Sequence, residues 1–495
     1  MIPPTVQIAD AAPPSAPAPK PAVERDLITT LFALGLLVFL YQALSAGHLW
    51  AVGWVVLGAL ALFLKRRARA HYVLILELPV LINLLAYSAT AIYLVGERQA
   101  FDFINDPFAA EGAWIALGGM TCFVAGLALA VLRGAEFWQS AAAAAPITLT
   151  IRQVLIIYLV GLISAEGVAR VAPIWLMAIA YTFSLCQPLA LFIYLKLAMD
   201  AKERWVGTLP FYLWLFALGF WSVRSVMGGI FGSTLLILTV FVTQQIHRSY
   251  IFVAAGLFFL ATAAPLIQDT KSDYRQRLAG GMHASERALQ DVVAENFRHI
   301  LSEGDMETYR KGMTQLAERV CTFEIWLRVK RHMDTLQDFA KGQTILDALV
   351  FGFIPRFLWP DKPVTGGVNM LAEKYADMII AEGTSVGVGM ISEFYINGGT
   401  WAVLLGMLGI GALGGAALMR GWFDNVQPLG LMSGILAFSL LVRPEANLND
   451  VLGGFIRILF LWWALRFWIV RGQRRARPKP PPLAQPIPPW NPPPA

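Results

Sequence analysis

The sequence predicts an all-α fold: a polytopic membrane bundle of about twelve transmembrane helices with one large helical loop on the outer side. Three observations carry this. Only 15% of the 495 residues are charged while 57% are hydrophobic, whereas a soluble domain carries about 25% charged residues. Apolar runs of about 20 residues recur along the chain, each long enough to cross a hydrocarbon core of roughly 30 Å. These runs are continuous blocks rather than short alternating strands, which argues against a membrane barrel and leaves helices.

Taken in order, residues 1–25 are rich in Pro and Ala and read as a disordered leader on the inner side. The apolar run after Arg25 lacks a small-residue cleavage site and reads as a signal anchor. Region 26–267 holds nine predicted spans, at 27–44, 49–64, 72–95, 113–132, 151–169, 173–195, 206–223, 227–243 and 250–267. Region 268–400 is too long for a connector and is expected to have structure of its own. It shows polar helical stretches with apolar residues three and four apart, such as Leu289, Val292, Val293 and Phe297. Region 401–470 holds three more spans, at 401–419, 429–442 and 451–470, and 471–495 is a basic, Pro-rich disordered tail.

Loop charge sets the orientation. With the N-terminus inside, the inner loops collect Lys65, Arg66, Arg67, Arg69, Arg133, Arg152, Lys196, Lys202, Arg204, Arg248 and Arg420. The tail adds Arg471, Arg474, Arg475, Arg477 and Lys479, while the short outer loops hold only Arg98, Arg170, Arg224 and Arg443. Positive charge marks the cytoplasmic side, so both termini are cytoplasmic and region 268–400 lies outside. The formal charge of +6 is thus spent on topology, and nucleic acid is not an expected partner. The bilayer is.

Other chemistry is thin. Cys122, Cys186 and Cys321 are too few and too scattered for a disulfide framework or a zinc site, and the six histidines show no metal-ligand spacing. No metal and no cofactor are expected. The literal GxGxxG at Gly409, Gly411 and Gly414 lies inside a span rather than between a strand and a helix, so it reads as small residues that let helices approach.

Two stretches of the outer region stand apart. In "FIPRFLWPDKPVTGG", Pro355 and Pro360 stiffen the backbone, and Trp359-Pro360-Asp361-Lys362-Pro363 is a turn signature. Phe357, Leu358 and Trp359 suit the membrane–water boundary, which would hold Arg356 and Lys362 at headgroup level. There an arginine binds phosphate through a bidentate fork and a lysine as a point charge; alternatively both merely snorkel as anchors. In "SEFYINGG", Glu393, Tyr395 and Asn397 sit at the outer mouth of the tenth span. A carboxylate there needs a partner, and Glu393 is either a general base or half of a salt bridge to Arg356. The nearby "LVRPEANLND" adds Arg443, Glu445, Asn447, Asn449 and Asp450, with Arg457 one to two turns into the last span.

The run from Gly352 to Pro363 resembles the IPR-x-x-WPDKP signature of bacterial oligosaccharide repeat-unit polymerases of the Wzy type, the O-antigen polymerase family. "SVGVGMISEFYINGG" is similar to the segment that follows it there, with Glu393, Tyr395, Asn397 and Gly399 matching. The resemblance covers Leu349 to Gly399. It implies a multi-pass glycosyltransferase of the bacterial inner membrane that polymerises undecaprenyl-pyrophosphate-linked oligosaccharides into a surface polysaccharide on the periplasmic side. It also implies working partners, a flippase and a chain-length regulator.

On that resemblance Arg356 and Glu393 are the expected catalytic residues. Arg356 and Lys362 would stabilise charge on the departing pyrophosphate and Glu393 would activate the acceptor hydroxyl. Asp361, Tyr395, Asn397, Arg443 and Arg224 complete the expected substrate-binding set. An O-antigen ligase-type transferase is the nearest alternative, and a lipid-linked oligosaccharide flippase or transporter the alternative from another class. A transporter would show paired repeats and broken helices at the midplane, and no internal repeat is visible.

Overall fold

Apolar side chains in continuous blocks leave the backbone no hydrogen-bonding partner but itself, so each block closes its own i→i−4 ladder. The computed structural model describes residues 22–45, 47–67, 76–97, 107–141, 147–168, 173–187 with scattered positions to 197, 306–354, 359, 368–380, and 386–476 apart from 423 and 428. Almost all of this is helix. The first group is α1 (Ala22–Ser45), α2 (Trp50–Arg67), α3 (Glu77–Leu84), a π-helical turn (Leu85–Ala89), α4 (Thr90–Glu97) and α5 (Pro107–Ala141). Then come α6 (Ile151–Ile163), which runs on through a second π turn (Ser164–Val168), and α7 (Ile174–Ser184). Region 268–400 contributes α8 (Met306–Val320), α9 (Phe323–Leu336), α10 (Gln343–Phe353) and α11 (Val368–Ala376). Last are α12 (Met390–Trp422), α13 (Leu429–Leu441) and α14 (Leu448–Ala476).

Four stretches are long and apolar enough to cross a membrane: Glu77–Val95, Pro107–Arg133, Met390–Gly421 and Leu448–Gln473. Shorter apolar helices occupy Phe32–Ser45, Trp50–Leu64, Ile151–Ile163 and Leu429–Leu441. These eight fall on predicted spans, and the span predicted at 173–195 contains α7. The spans predicted at 206–223, 227–243 and 250–267, and the stripe from Leu289 to Phe297, lie outside the described residues. Two span starts differ most from expectation. The fourth helix starts at Pro107 rather than 113, because a proline at the first helical position loses no hydrogen bond. The tenth starts at Met390 rather than 401, because a short helix joins it through a bend.

The spine of the bundle is α5 packed along α12. Small residues set that approach. A Cβ at Gly411 would lie 2.1 Å from the Phe123 carbonyl oxygen, and one at Gly126 would lie 2.1 Å from that of Leu408. Gly414 faces α13 instead, where its Cβ would meet Leu441 Cδ1 at 2.9 Å, and Gly409 meets nothing. The GxGxxG letters therefore mark two helix contacts and one open position.

At the opposite end of α12 from its bend, a short connection is pinned to α14. Asp424 accepts Trp462 Nε1 at 2.7 Å, Arg466 Nε at 3.0 Å and the Val426 N–H at 3.2 Å. Here a two-residue parallel ladder joins β1 (Ile147–Thr148) to β2 (Val426–Gln427), next to the capping box in which Thr150 and Gln153 start α6.

Helices α8 to α11 do not form a separate body. α9 is amphipathic, with Phe323, Trp326, Leu327, Lys330 and Met333 on one stripe, and that stripe is buried against α5 and α12. Its start is anchored by the π turn, whose Ala86 carbonyl accepts the Thr322 N–H at 3.0 Å. A π turn shifts the register of the i→i−4 ladder and so leaves a carbonyl for an outside donor.

Candidate functional site

The SEFYINGG letters form a short buried helix, Met390 to Asn397, ahead of a bend at Gly398 and Gly399. Gly399 adopts φ 64° and ψ −153°, a region open in practice only to glycine. Asn397 and the Phe339 ring flank this bend, with Phe339 against Gly399 and the Ala340 N–H donating to the Ile396 carbonyl at 2.8 Å. The bend turns α12 out of the buried mouth and into its long apolar run.

Each polar motif residue fastens a different element. Glu393, 1% exposed, accepts the Leu448 N–H at 2.6 Å through Oε2 and also hydrogen-bonds the Thr344 side chain. Leu448 is the first residue of α14, whose leading N–H groups have no partner inside the helix. Asn447 precedes it and accepts the first intrahelical bond from Val451, but its own side chain turns away to take the Val388 N–H at 2.8 Å. The carboxylate thus does the capping from across the fold.

Asn397 Nδ2 donates to Thr344 Oγ1 at 2.6 Å, at the start of α10, and to the Glu393 carbonyl at 2.7 Å. Its Oδ1 is buried with no partner among the described residues. Tyr395 points the other way and donates its hydroxyl to Asp334 Oδ1 on α9. Its ring stands edge-on to Trp326 with centroids 5.0 Å apart, and Trp326 Nε1 donates to the Gly112 carbonyl of α5 at 2.9 Å.

Behind Tyr395 lies a buried ion network. Lys330 is fully buried, with Nζ 2.7 Å from Asp334 Oδ2 and 3.0 Å from Glu111 Oε2, and it sits over the Phe108 ring at 4.0 Å. A buried ammonium is tolerated only when paired and fully hydrogen-bonded, and two carboxylates and a ring supply that here. Sequence reading missed Lys330, Asp334 and Thr344. The available signal was a lysine on the apolar stripe of α9, where a solvated charge does not belong.

Of the predicted site residues, the structure brings Glu393, Tyr395 and Asn397 together at the junction of α9, α10 and α14. Arg443 lies at the rim, half exposed, paired with Glu445 at 3.1 Å. Arg356, Asp361, Lys362 and Arg224 lie outside the described residues, and so does any salt bridge between Glu393 and Arg356. Glu393 is held between Leu448 and Thr344, so the acceptor-activating role expected of it would require its release from Leu448.

No curated protein and no solved structure matches the chain. A family model described as "Domain of unknown function (DUF8712)" matches residues 68–419, from ahead of α3 to near the end of α12. The match takes in Glu393, Tyr395, Asn397 and the Lys330 network but stops short of Leu448, so the cap on α14 joins a matched residue to an unmatched one. The matched part is well over half of the sequence, and the chain belongs to the DUF8712 family.

Proposed function

We propose that this protein is an integral-membrane glycosyltransferase that joins undecaprenyl-pyrophosphate-linked oligosaccharide repeat units into a surface polysaccharide. In this reading it crosses the inner membrane about twelve times with both termini cytoplasmic, and the outer helices work on the periplasmic side. The resemblance in Leu349–Gly399 supports it.

The observation that carries it is the bond from Asn397 to Thr344. It joins the two halves of that resemblance, because α10 begins beside Thr344 and ends at Phe353, one residue before the PRFLWPDKP letters. A signature split over two segments is expected at a site where both must stand in fixed relation.

The acceptor sugar hydroxyl attacks the anomeric carbon of the donor glycan. A new glycosidic bond forms, the carbon–oxygen bond to pyrophosphate breaks, and undecaprenyl pyrophosphate departs with the bonding pair and takes up the proton that the acceptor hydroxyl loses. Arg356, Lys362 and Arg443 meet the charge that builds on the leaving oxygens. Asp361, Tyr395 and Asn397 shape the sugar side, and Glu393 holds α10 and α14 in register for it. A flippase supplying repeat units and a chain-length regulator complete the assembly.

The test is polymer formation from purified lipid-linked repeat units in nanodiscs. Arg356→Ala should slow it by about a hundredfold, the usual loss when a donor to a developing oxyanion is removed. Arg356→Lys keeps the charge but loses the fork, so recovery should be partial. No polymer from the unmodified protein, or full activity in Arg356→Lys, would overturn the reading.

A further inference from the structure

Arg457 is an arginine inside an apolar helix. It lies on α14 within the membrane-length stretch Leu448–Gln473, about 14 Å along the axis from the start of the helix. Its side chain is exposed, and among the described residues its guanidinium finds one partner, the Gly453 carbonyl, accepting from Nε at 3.0 Å. That bond aims the fork back toward the outer end and leaves the Nη donors unused. A charge at this depth is costly, and such residues mark ligand or ion paths more often than they serve packing.

Asp450 stands two turns above Arg457 on the same face, with Gly453 between them. It is exposed and in electrostatic contact with Arg457 below and with Arg443 above, yet forms a close ion pair with neither. Among the described residues Arg443 makes a surface ion pair with Glu445. The result is a strip of cation, anion and cation descending from the rim into the apolar zone.

The neighbouring helix gives that strip a wall. α10 and α14 both begin within reach of Glu393 and pack along each other, so they run in the same direction. The ten residues from Thr344 to Ile354 advance about as far as the nine from Leu448 to Arg457. The end of α10 therefore comes to the depth of Arg457.

We propose that Arg443 and Arg457 form an anion site that takes the pyrophosphate of a polyprenyl lipid from the membrane side, with Asp450 occupying the space between the two guanidiniums until the ligand displaces it. Pyrophosphate has two phosphoryl groups for two forks, and a polyprenyl tail suits a guanidinium exposed on a helix of membrane length. This rests on the function proposed above and adds to it Arg457, the depth of the site and a built-in competitor.

The full chain in phosphatidylcholine nanodiscs is titrated with farnesyl pyrophosphate, with farnesyl monophosphate and farnesol as controls. Arg457→Gln should weaken pyrophosphate binding about tenfold or more, the worth of one charge-assisted contact. Arg457→Lys should fall between, and Asp450→Asn should bind tighter than the unmodified protein. Unfolding temperatures report that each variant is folded.

Equal affinity in the folded Arg457→Lys and unmodified proteins overturns the inference while leaving the proposed function standing. Failure of the unmodified protein to bind farnesyl pyrophosphate overturns both. Loss of binding when phosphatidylglycerol replaces part of the phosphatidylcholine would assign the strip to bulk headgroups and also overturn it.

Discussion

The Glu393 carboxylate accepts the backbone N–H of Leu448 at 2.6 Å, so a residue of the SEFYINGG segment caps a helix that begins 55 positions later. Capping at such range makes the residue's chemistry separable from its fastening. Glu393→Gln keeps an acceptor oxygen and should hold stability within about 1 kcal/mol. Glu393→Ala leaves the N–H buried without a partner and should cost about 2 kcal/mol by thermal unfolding in detergent. Glu393→Gln should also retain most polymer formation. An inactive Glu393→Gln with unchanged unfolding temperature would return the carboxylate to the chemistry.

The Lys330 network predicts an asymmetry between its two acids. Asp334 is two-thirds buried and also holds Tyr395, whereas the Glu111 side chain is 63% exposed. Asp334→Ala leaves the buried ammonium only the exposed Glu111 and takes the acceptor from the Tyr395 hydroxyl, and should cost about 3 kcal/mol. Glu111→Ala should cost under about 1 kcal/mol, as for an exposed pair. Equal losses, measured as unfolding temperatures on one preparation, would refute this picture of the network.

The three glycines of GxGxxG should respond differently to one methyl group. Gly411→Ala drives a Cβ into the Phe123 carbonyl and should cost about 2 kcal/mol or more by overpacking. Gly409→Ala meets open space and should be neutral or stabilising by about 1 kcal/mol through helix propensity. A nucleotide-binding loop would instead lose ligand with either change, so the contrast in stability is diagnostic.

Topology can be read with thiol reagents. Burial pushes the Cys321 thiol up, and its side chain is nearly inaccessible, so it should stay unmodified by maleimide in the folded protein at neutral pH and react on unfolding. Leu336, on the exposed side of α9, is a suitable reporter. Leu336→Cys should be modified from outside the cell by a membrane-impermeant maleimide. Modification only after permeabilising the cytoplasmic membrane would invert the proposed orientation.

The sequence shows helices readily because a membrane-length apolar run has one outcome, and α5, α12 and α14 follow directly from theirs. The proximity of Glu393, Tyr395 and Asn397 was legible for the same reason, since three residues in one helical stretch cannot be far apart. What each one touches was not legible. Leu448, Asp334 and Thr344 are reached through tertiary packing between distant segments, and no local periodicity encodes a partner. The burial of α9 was half visible in its amphipathic stripe, but an apolar stripe does not say whether it covers a loop domain or, as here, α5 and α12.

The cap on α14 also has a consequence for biosynthesis. A membrane chain is threaded into the bilayer from its N-terminus, and Gly112, Trp326 and Tyr395 are all made well before Leu448. Until the ribosome has delivered α14, Glu393 has no amide to hold, and a carboxylate with only the Thr344 side chain beside it sits at the mouth of a half-built bundle. Such unfinished intermediates expose what the finished protein conceals, and folding of large chains proceeds through them. Chains truncated before Leu448 should therefore be recognised by membrane proteases as incomplete even though their apolar segments are already inserted. The residue that fastens the site also reports that α14 has been made.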